Sequence, residues 1–513
     1  MSLPRGRLIA ASAGALLALS GAAANAADAP RPNTEQLLGP DTAVERARLD
    51  AELGEQTPST PKAAESAANP GNALPASETP TPTADPLSLG GQVYLRSLVT
   101  GLDHEPARSW SFRTPLLLDV YLDARLNPHA RAYARTRTST DPTQPSTSAA
   151  SAAASPTVAP GAALTADTGP GPSTVIDQLW IQFDTHGLFF SVGRQHDTWG
   201  TGRVWHPTDF LHQTPRNPLD VFDARTGTTM AKLQIPLPAL ASNVSLYAVT
   251  ENPGGTPSVA SVAGAARAQV VLGTAELSLG TLLRDGSAPR YAADLSLGLG
   301  PLDVYGEAAW RSGSEVDRVT RNQNYVLADP APSASELADG AFPRYRSRGG
   351  KLQVVGGVNY PIAYGDNDSL EVTGEYFYNQ LGYSDTRPYL GLFIPRDAPL
   401  SDPATPFYLG RHYAALSLGA EGPFSWDLTS LRLTVLGNLS DRSWITRFDY
   451  ALTVASHVRL EALAALHLGA AHGELRAGSS LTVLDQAGAV VSLPQFSRAP
   501  ALFDLGLALR VNI

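Results

Sequence analysis

The chain has 513 residues, 43% of them hydrophobic and 17% charged, with no cysteine and a formal net charge of -10. That length suits several soluble domains or one large barrel. The missing cysteines exclude disulfides and metal–thiolate sites, and the acidic balance argues against a nucleic-acid partner.

Arg5 and Arg7 precede an apolar run from Leu8 to Leu19, and the small-residue site Ala24-Asn25-Ala26 follows. Charged, apolar and cleavable segments in that order predict a secretory signal peptide over 1–26. Residues 27–87 are rich in Ala, Pro, Thr and Glu and lack core-forming aromatics. They read as a disordered periplasmic segment, with a short helix conceivable only from Asp41 to Leu53. No later run approaches the roughly eighteen apolar residues of a membrane-spanning helix. The most apolar stretch, Val259 to Leu283, is broken by Arg267 and Glu276. A membrane form of this chain must therefore be a closed barrel, because only helices and barrels satisfy their own backbone polar groups in lipid.

From Gly90 onward the pattern has period two. Leu116, Leu118, Val120 and Leu122 alternate with Leu117, Asp119, Tyr121 and Asp123. Beyond a turn at Asn127-Pro128-His129, Arg131, Tyr133, Arg135 and Arg137 alternate with small residues. Strands of about ten residues match the length a tilted strand needs to cross a bilayer. Short connections at 127–130, 184–187, 237–243, 300–302 and 456–457 are expected to alternate strictly with long ones at 138–174, 196–227, 312–349, 380–410 and 469–502. Such asymmetry marks outer-membrane barrels, with short periplasmic turns and long outward loops. The end of the chain, with Phe503, Leu505, Leu507, Leu509, Val511 and Ile513 at every second position, resembles the terminal strand by which such barrels are recognised for assembly. Ile513 replaces the usual aromatic. The expected fold is all-β: a transmembrane antiparallel barrel over 88–513 of about eighteen strands, with sixteen as the fallback. Its first strand is placed at 91–99 and its last at 503–513.

The segment 196–227 is the most chemically loaded connection. Trp199, Trp205 and Phe210 suit packing against an inner wall. Gly200 and Gly202 permit a tight turn and close approach, and Pro207, Pro215 and Pro218 stiffen the path. Arg194, Arg203, Arg216, Arg225, Asp209, Asp220 and Asp223 are expected to face the lumen. Gly200-Thr201-Gly202 is no dinucleotide fingerprint, since the third Gly and the surrounding strand–helix unit are missing. His196, Asp197, His206, Asp209 and His212 follow no metal-ligand spacing, and no Gly-x-Ser-x-Gly elbow occurs. Inward charges such as Asp119, Arg137, Asp294, Glu307, Glu375 and Arg447 read either as cross-strand braces or as solute-selecting groups.

Gly193-Arg194-Gln195, Trp199-Gly200-Thr201-Gly202 and Pro207-Thr208-Asp209 resemble the signature of a family of largely uncharacterised porin-like bacterial outer-membrane barrels. In the general porins the third outward loop folds back and narrows the channel. By that resemblance, 196–227 is the expected constriction. Arg194, Trp199, Arg203, Trp205, Asp209, Arg216, Asp220 and Arg225 are the expected constriction or solute-binding residues. The implied protein is a non-enzymatic channel for small polar solutes in the outer membrane of a Gram-negative bacterium. Its expected partners are outer-membrane lipid and the barrel-assembly machinery, it needs no cofactor or metal, and a homotrimer is compatible with the pattern. Two alternatives stay open: a plugged barrel that exports or assembles an envelope polysaccharide or lipid, and a barrel hydrolase.

Overall fold

A computed structural model describes residues 86–143, 172–212, 214–251, 259–313, 316–364, 368–398, 400, 404–424 and 426–513. The predicted signal peptide and nearly all of 27–87 lie outside these residues. The chain forms a closed barrel of 18 antiparallel strands. In chain order these are β1 Leu87–Leu102, β2 Leu116–Asn127, β3 Ala130–Thr140, β4 Ser173–Thr185, β5 Leu188–Gln195 and β6 Thr228–Leu237. Then follow β7 Ser242–Val249, β8 Ala263–Leu272, β9 Ala275–Leu283, β10 Arg290–Leu299, β11 Leu302–Arg311 and β12 Lys351–Ala363. The last six are β13 Ser369–Asn379, β14 His412–Glu421, β15 Thr429–Asn438, β16 Ser443–Ala455, β17 Val458–Gly469 and β18 Ala501–Asn512. Each strand pairs with its sequence neighbours. β1 closes the ring on β18 in a register running from Gln92↔Asn512 to Leu102↔Ala501.

The barrel is inside-out relative to a soluble domain. On β2, Leu118, Val120 and Leu122 are exposed while Asp119 between them is 6% exposed. On β18, Leu505, Leu507 and Leu509 are exposed while Asp504 and Arg510 are buried. A continuous apolar outer face of this kind is matched to lipid, and the polar inner face to the lumen. The alternation read from the sequence is thus the two faces of one wall. Inward charges brace it in register: Asp119 lies opposite Arg137 and accepts from it at 2.9 and 3.0 Å, and Asp123 accepts from Arg131 at 2.8 and 2.9 Å.

Strand β1 begins before the expected 91–99 and runs past it. Its second half trades β2 for a three-residue strand, Ser111–Arg113, paired to Leu98–Thr100. A two-residue turn, Gly273-Thr274, joins β8 to β9, with Gly273 at φ 65. The expected strict alternation of loop lengths does not hold. At the long-loop end, 284–289 and 439–442 are also short, because β9–β10 and β15–β16 close as tight hairpins. The segment 196–227 remains the third connection at that end.

The longer loops carry structure that the pattern did not predict. In 312–350, helix α1 (Ala334–Ala341) opens on a capping box in which Ser333 and Glu336 satisfy each other's backbone N–H. Val319, Leu337, Phe342, Ile394, Leu481, Val483 and Leu493 from three loops pack into a separate apolar core. Where these loops meet the wall, Glu474 accepts from Tyr413 Oη and Asn438 Nδ2, and Asp441 accepts from the Glu474 and Ser443 N–H groups.

Candidate functional site

Loop 196–227 is bound to inward-facing groups around the barrel. Its first lobe leaves β5 at His196 and drives Trp199 against the wall of β7 to β9, where the indole packs on Tyr247 and on the loop's own Phe210. The socket exists because position 280 is glycine: a Cβ there would stand 2.8 Å from Trp199 Cζ3. Arg267 lies over the same indole, 6.0 Å from its centroid. Met230, Val249, Ala263, Ala265, Leu282 and Ala292 complete an apolar patch on the inner wall. Inward positions of a wide barrel are normally polar, so these mark a docking surface.

The apex of the lobe is held by two wall carboxylates. Glu307 on β11 accepts from the Gly202 N–H and from Thr208 Oγ1 at 2.7 Å. Gly200 sits at φ 110, and a Cβ on it would fall 2.4 Å from Glu307 Oε1, so only glycine allows this approach. Glu375 on β13 accepts from the N–H groups of Arg203 and Trp205 at 2.8 Å, from Val204 at 3.2 Å, and from Tyr305 Oη at 2.9 Å. Backbone donors converging on an ionised acceptor make short, charge-assisted bonds. The Trp205 indole is fully buried, stacks on Phe377, packs on Tyr413, and donates Nε1–H to Phe407 O.

The second lobe occupies the rest of the ring. Tyr408 Oη donates to Arg216 O, Arg447 Nη1 on β16 donates to Leu219 O, and Arg137 Nη1 on β3 donates to Ala224 O. Phe222 meets Tyr94 of β1 edge-on at 5.3 Å. The three aromatic anchors, on β7–β9, β13–β14 and β1, divide the 18-strand wall into near-thirds.

Where the lobes meet, buried charges run in a chain. Asp177 of β4, paired with Arg135, contacts His196 Nε2 at 3.1 Å. His196 Nδ1 lies 3.4 Å from His212 Nε2, and His212 Nδ1 lies 3.0 Å from Asp209. Arg225 then bridges Asp209 at 2.9 Å and Asp223 at 2.7 Å. Burial pushes the His196 imidazole down to about 4. Burial alone would raise the Asp209 carboxyl, but His212 and Arg225 beside it hold it below the usual range. The same contest, won by Arg225, keeps Asp223 well below the usual range. Burial pushes the Asp220 carboxyl well up, against the lowering influence of Arg216, Arg96 and Arg447 within electrostatic reach.

The expected site residues thus fall into four groups. Trp199 and Trp205 are buried anchors, as their apolar rings require. Asp209 and Arg225, expected to face the lumen, are instead 2% and 9% exposed at the side chain, paired inside the loop. Arg194, also expected there, lies on the other face. It shares strand parity with the lipid-side Val192, pairs with Glu251 at 2.8 Å, and donates to Ile176 O. Period-two alternation alone sets that parity, since the inward residues of β5 are Phe189, Ser191 and Gln195. Arg203 is exposed, whereas Arg216 and Asp220 are partly buried. Arg203 is the most open, reaching Glu371 at 3.1 Å and Asp303 at 3.6 Å with its guanidinium over Tyr305. His206 stands 3.7 Å from Glu307. Among the described residues, no three His, Asp or Glu side chains gather as a metal site.

These features define a transmembrane antiparallel β-barrel with one long loop docked to its inner wall. No protein-family model and no curated protein matches the sequence. Among solved structures the chain is similar to OccAB1 of Acinetobacter baumannii, at TM-score 0.46 and 10% identity, over 83% of this chain and 96% of that one. It is similar to Wzi of Escherichia coli, described as a carbohydrate-binding β-barrel involved in group 1 capsule assembly, at TM-score 0.43 and 11% identity, over 82% and 84%. It is also similar to a mutant Rh. blastica porin, at TM-score 0.37 and 8% identity, over 83% and 100%. The likeness is one of architecture and goes no further.

Proposed function

We propose that this protein is a porin-like outer-membrane channel for small polar solutes, with 196–227 as its constriction. The observation that supports this reading is the attachment of one loop to inward-facing side chains on β1, β3, β4, β11, β13 and β16. A loop tied to the wall in so many sectors lies across the path of any solute. Arg203, Arg216 and Asp220 are then the polar groups a passing solute meets. The predicted leader and the apolar outer belt support a Gram-negative outer membrane, with the N-terminal segment on the periplasmic side. Purified full chain in a planar bilayer should give discrete conductance, and shortening 198–226 should raise it. A folded barrel whose conductance ignores that deletion overturns the proposal.

One observation favours a second reading. Asp209, His212, Asp223 and Arg225 satisfy one another in the middle of the loop rather than facing water. Under that reading the barrel is plugged, and it exports or assembles an envelope polymer. Wild-type barrels that are folded yet sealed in the bilayer support it. Deleting 27–85 would then abolish the envelope phenotype, whereas under the channel reading it spares conductance.

A further inference from the structure

The first lobe of the loop is closed at its base by two histidines, and their geometry has a proton count. Three contacts run in series: Asp177 to His196 Nε2, His196 Nδ1 to His212 Nε2, and His212 Nδ1 to Asp209. Each is a hydrogen bond only if a hydrogen lies between its two atoms. Two neutral imidazoles carry two ring hydrogens, one each, and three are needed. The third does not come from either carboxyl, since Arg225 is bonded to Asp209 and Arg135 to Asp177, with Arg137 beside the latter.

We propose that His196 and His212 form a proton-operated latch on loop 196–227, closed when the pair shares three ring hydrogens and one positive charge, and released when the third is lost. On deprotonation one ring nitrogen keeps a lone pair directed at an acceptor. If His212 loses the proton from Nδ1, that lone pair faces the Asp209 carboxylate at 3.0 Å, and attraction becomes repulsion. The lobe held this way spans residues 196–212 and carries Trp199, the Gly200–Gly202 turn and Trp205. The charged groups around the pair are Asp177, Arg135 and Arg137 from the wall, with Asp209, Asp223, Arg225 and Arg216 from the loop. Asp177 and Asp209 bracket the pair directly. Three of these arginines are engaged by acids: Arg135 by Asp177, Arg137 by Asp119, and Arg225 by Asp209 and Asp223. His212 is 2% and His196 10% exposed at the side chain, so water does not substitute freely for the missing hydrogen. Burial disfavours the charged form of His196, and the pair holds the third ring hydrogen jointly. Because closing takes up one proton, the latch closes toward acid and opens toward base.

The effect on conductance rests on the reading of 196–227 as a constriction, but the proton count does not. Imidazole 15N spectra of the full chain in nanodiscs, assigned with His196→Asn and His212→Gln, read the count directly. At about pH 5.5 we expect one neutral ring and one imidazolium in mutual contact, with one proton lost by about pH 8.5. Two neutral rings throughout that range overturn the latch, whatever the conductance does. In planar bilayers, wild-type conductance should rise over the same interval, and His212→Gln should flatten most of that rise. A three-hydrogen pair in a barrel that does not conduct sinks the channel reading and leaves the latch standing. A three-hydrogen pair in a conducting barrel with the same pH response in wild type and His212→Gln overturns the gating role of the latch.

Discussion

Glu375→Ala is the sharpest test of how the loop is held. The Glu375 carboxylate is the acceptor for three consecutive loop N–H groups and for Tyr305 Oη, and the residue is 4% exposed. Alanine would leave those donors facing a void, and each buried donor without a partner costs about 1–3 kcal/mol. Water entering from the lumen re-satisfies part of the set, so we expect a net penalty of roughly 4 kcal/mol on the docked state. At about 1.4 kcal/mol per factor of ten, that moves the docked-to-released ratio by nearly a thousandfold. The barrel ladder itself is backbone paired and does not use this side chain. Glu375→Ala should therefore still migrate as a folded barrel on unheated gels while its conductance rises and becomes noisy. Glu375→Gln keeps one strong acceptor and should fall between the two. A folded Glu375→Ala barrel with wild-type conductance and noise would refute the reasoning.

Other expectations address separate parts of the molecule. Gly280→Val should expel the Trp199 indole from its socket at a cost of roughly 1–3 kcal/mol, seen as a red shift and greater quenching of tryptophan emission; unchanged emission would contradict the docking. Burial pushes Glu474 up to about 7, with Asp441 adding to the rise against hydrogen bonds that lower it. Because the folded value lies above the unfolded one, its stabilising contribution is complete below the unfolded range and is lost as pH climbs through about 7. Thermal unfolding should therefore occur at lower temperature at about pH 8 than at about pH 5, with a linkage on the order of 3 kcal/mol, and Glu474→Gln should reduce that difference. Arg203→Ala should shift ion selectivity toward cations while Arg194→Ala leaves it unchanged, since Arg194 shares a face with Val192; equal shifts in reversal potential from both would overturn the parity assignment.

Much of the wall was legible in the sequence because a strand in lipid has a two-residue rule that does not depend on its partners. Leu118, Val120 and Leu122 against Asp119 and Asp123 declare two faces wherever the strand sits. The even strand number and the position of 196–227 as the third long-end connection follow from counting such stretches. The loop cap was partly legible and missed: Ser333-x-x-Glu336 before Leu337 is a helix-start signature inside a segment read only as loop. Arg194 was misplaced because it was read with the motif it adjoins rather than by the parity of its own strand.

What the sequence by itself determined was a barrel, its two faces, and a loop whose tryptophans and glycines belonged against a wall. What only the tertiary structure decided was which wall. Glu307 and Glu375 are more than ninety residues from the N–H groups they accept from, and Gly280 is a socket only because Trp199 arrives in it. The same holds for Asp209, His212 and Arg225. Their side chains announce charge and nothing about burial, and they face one another because two lobes of one loop close at His196 beside Asp177.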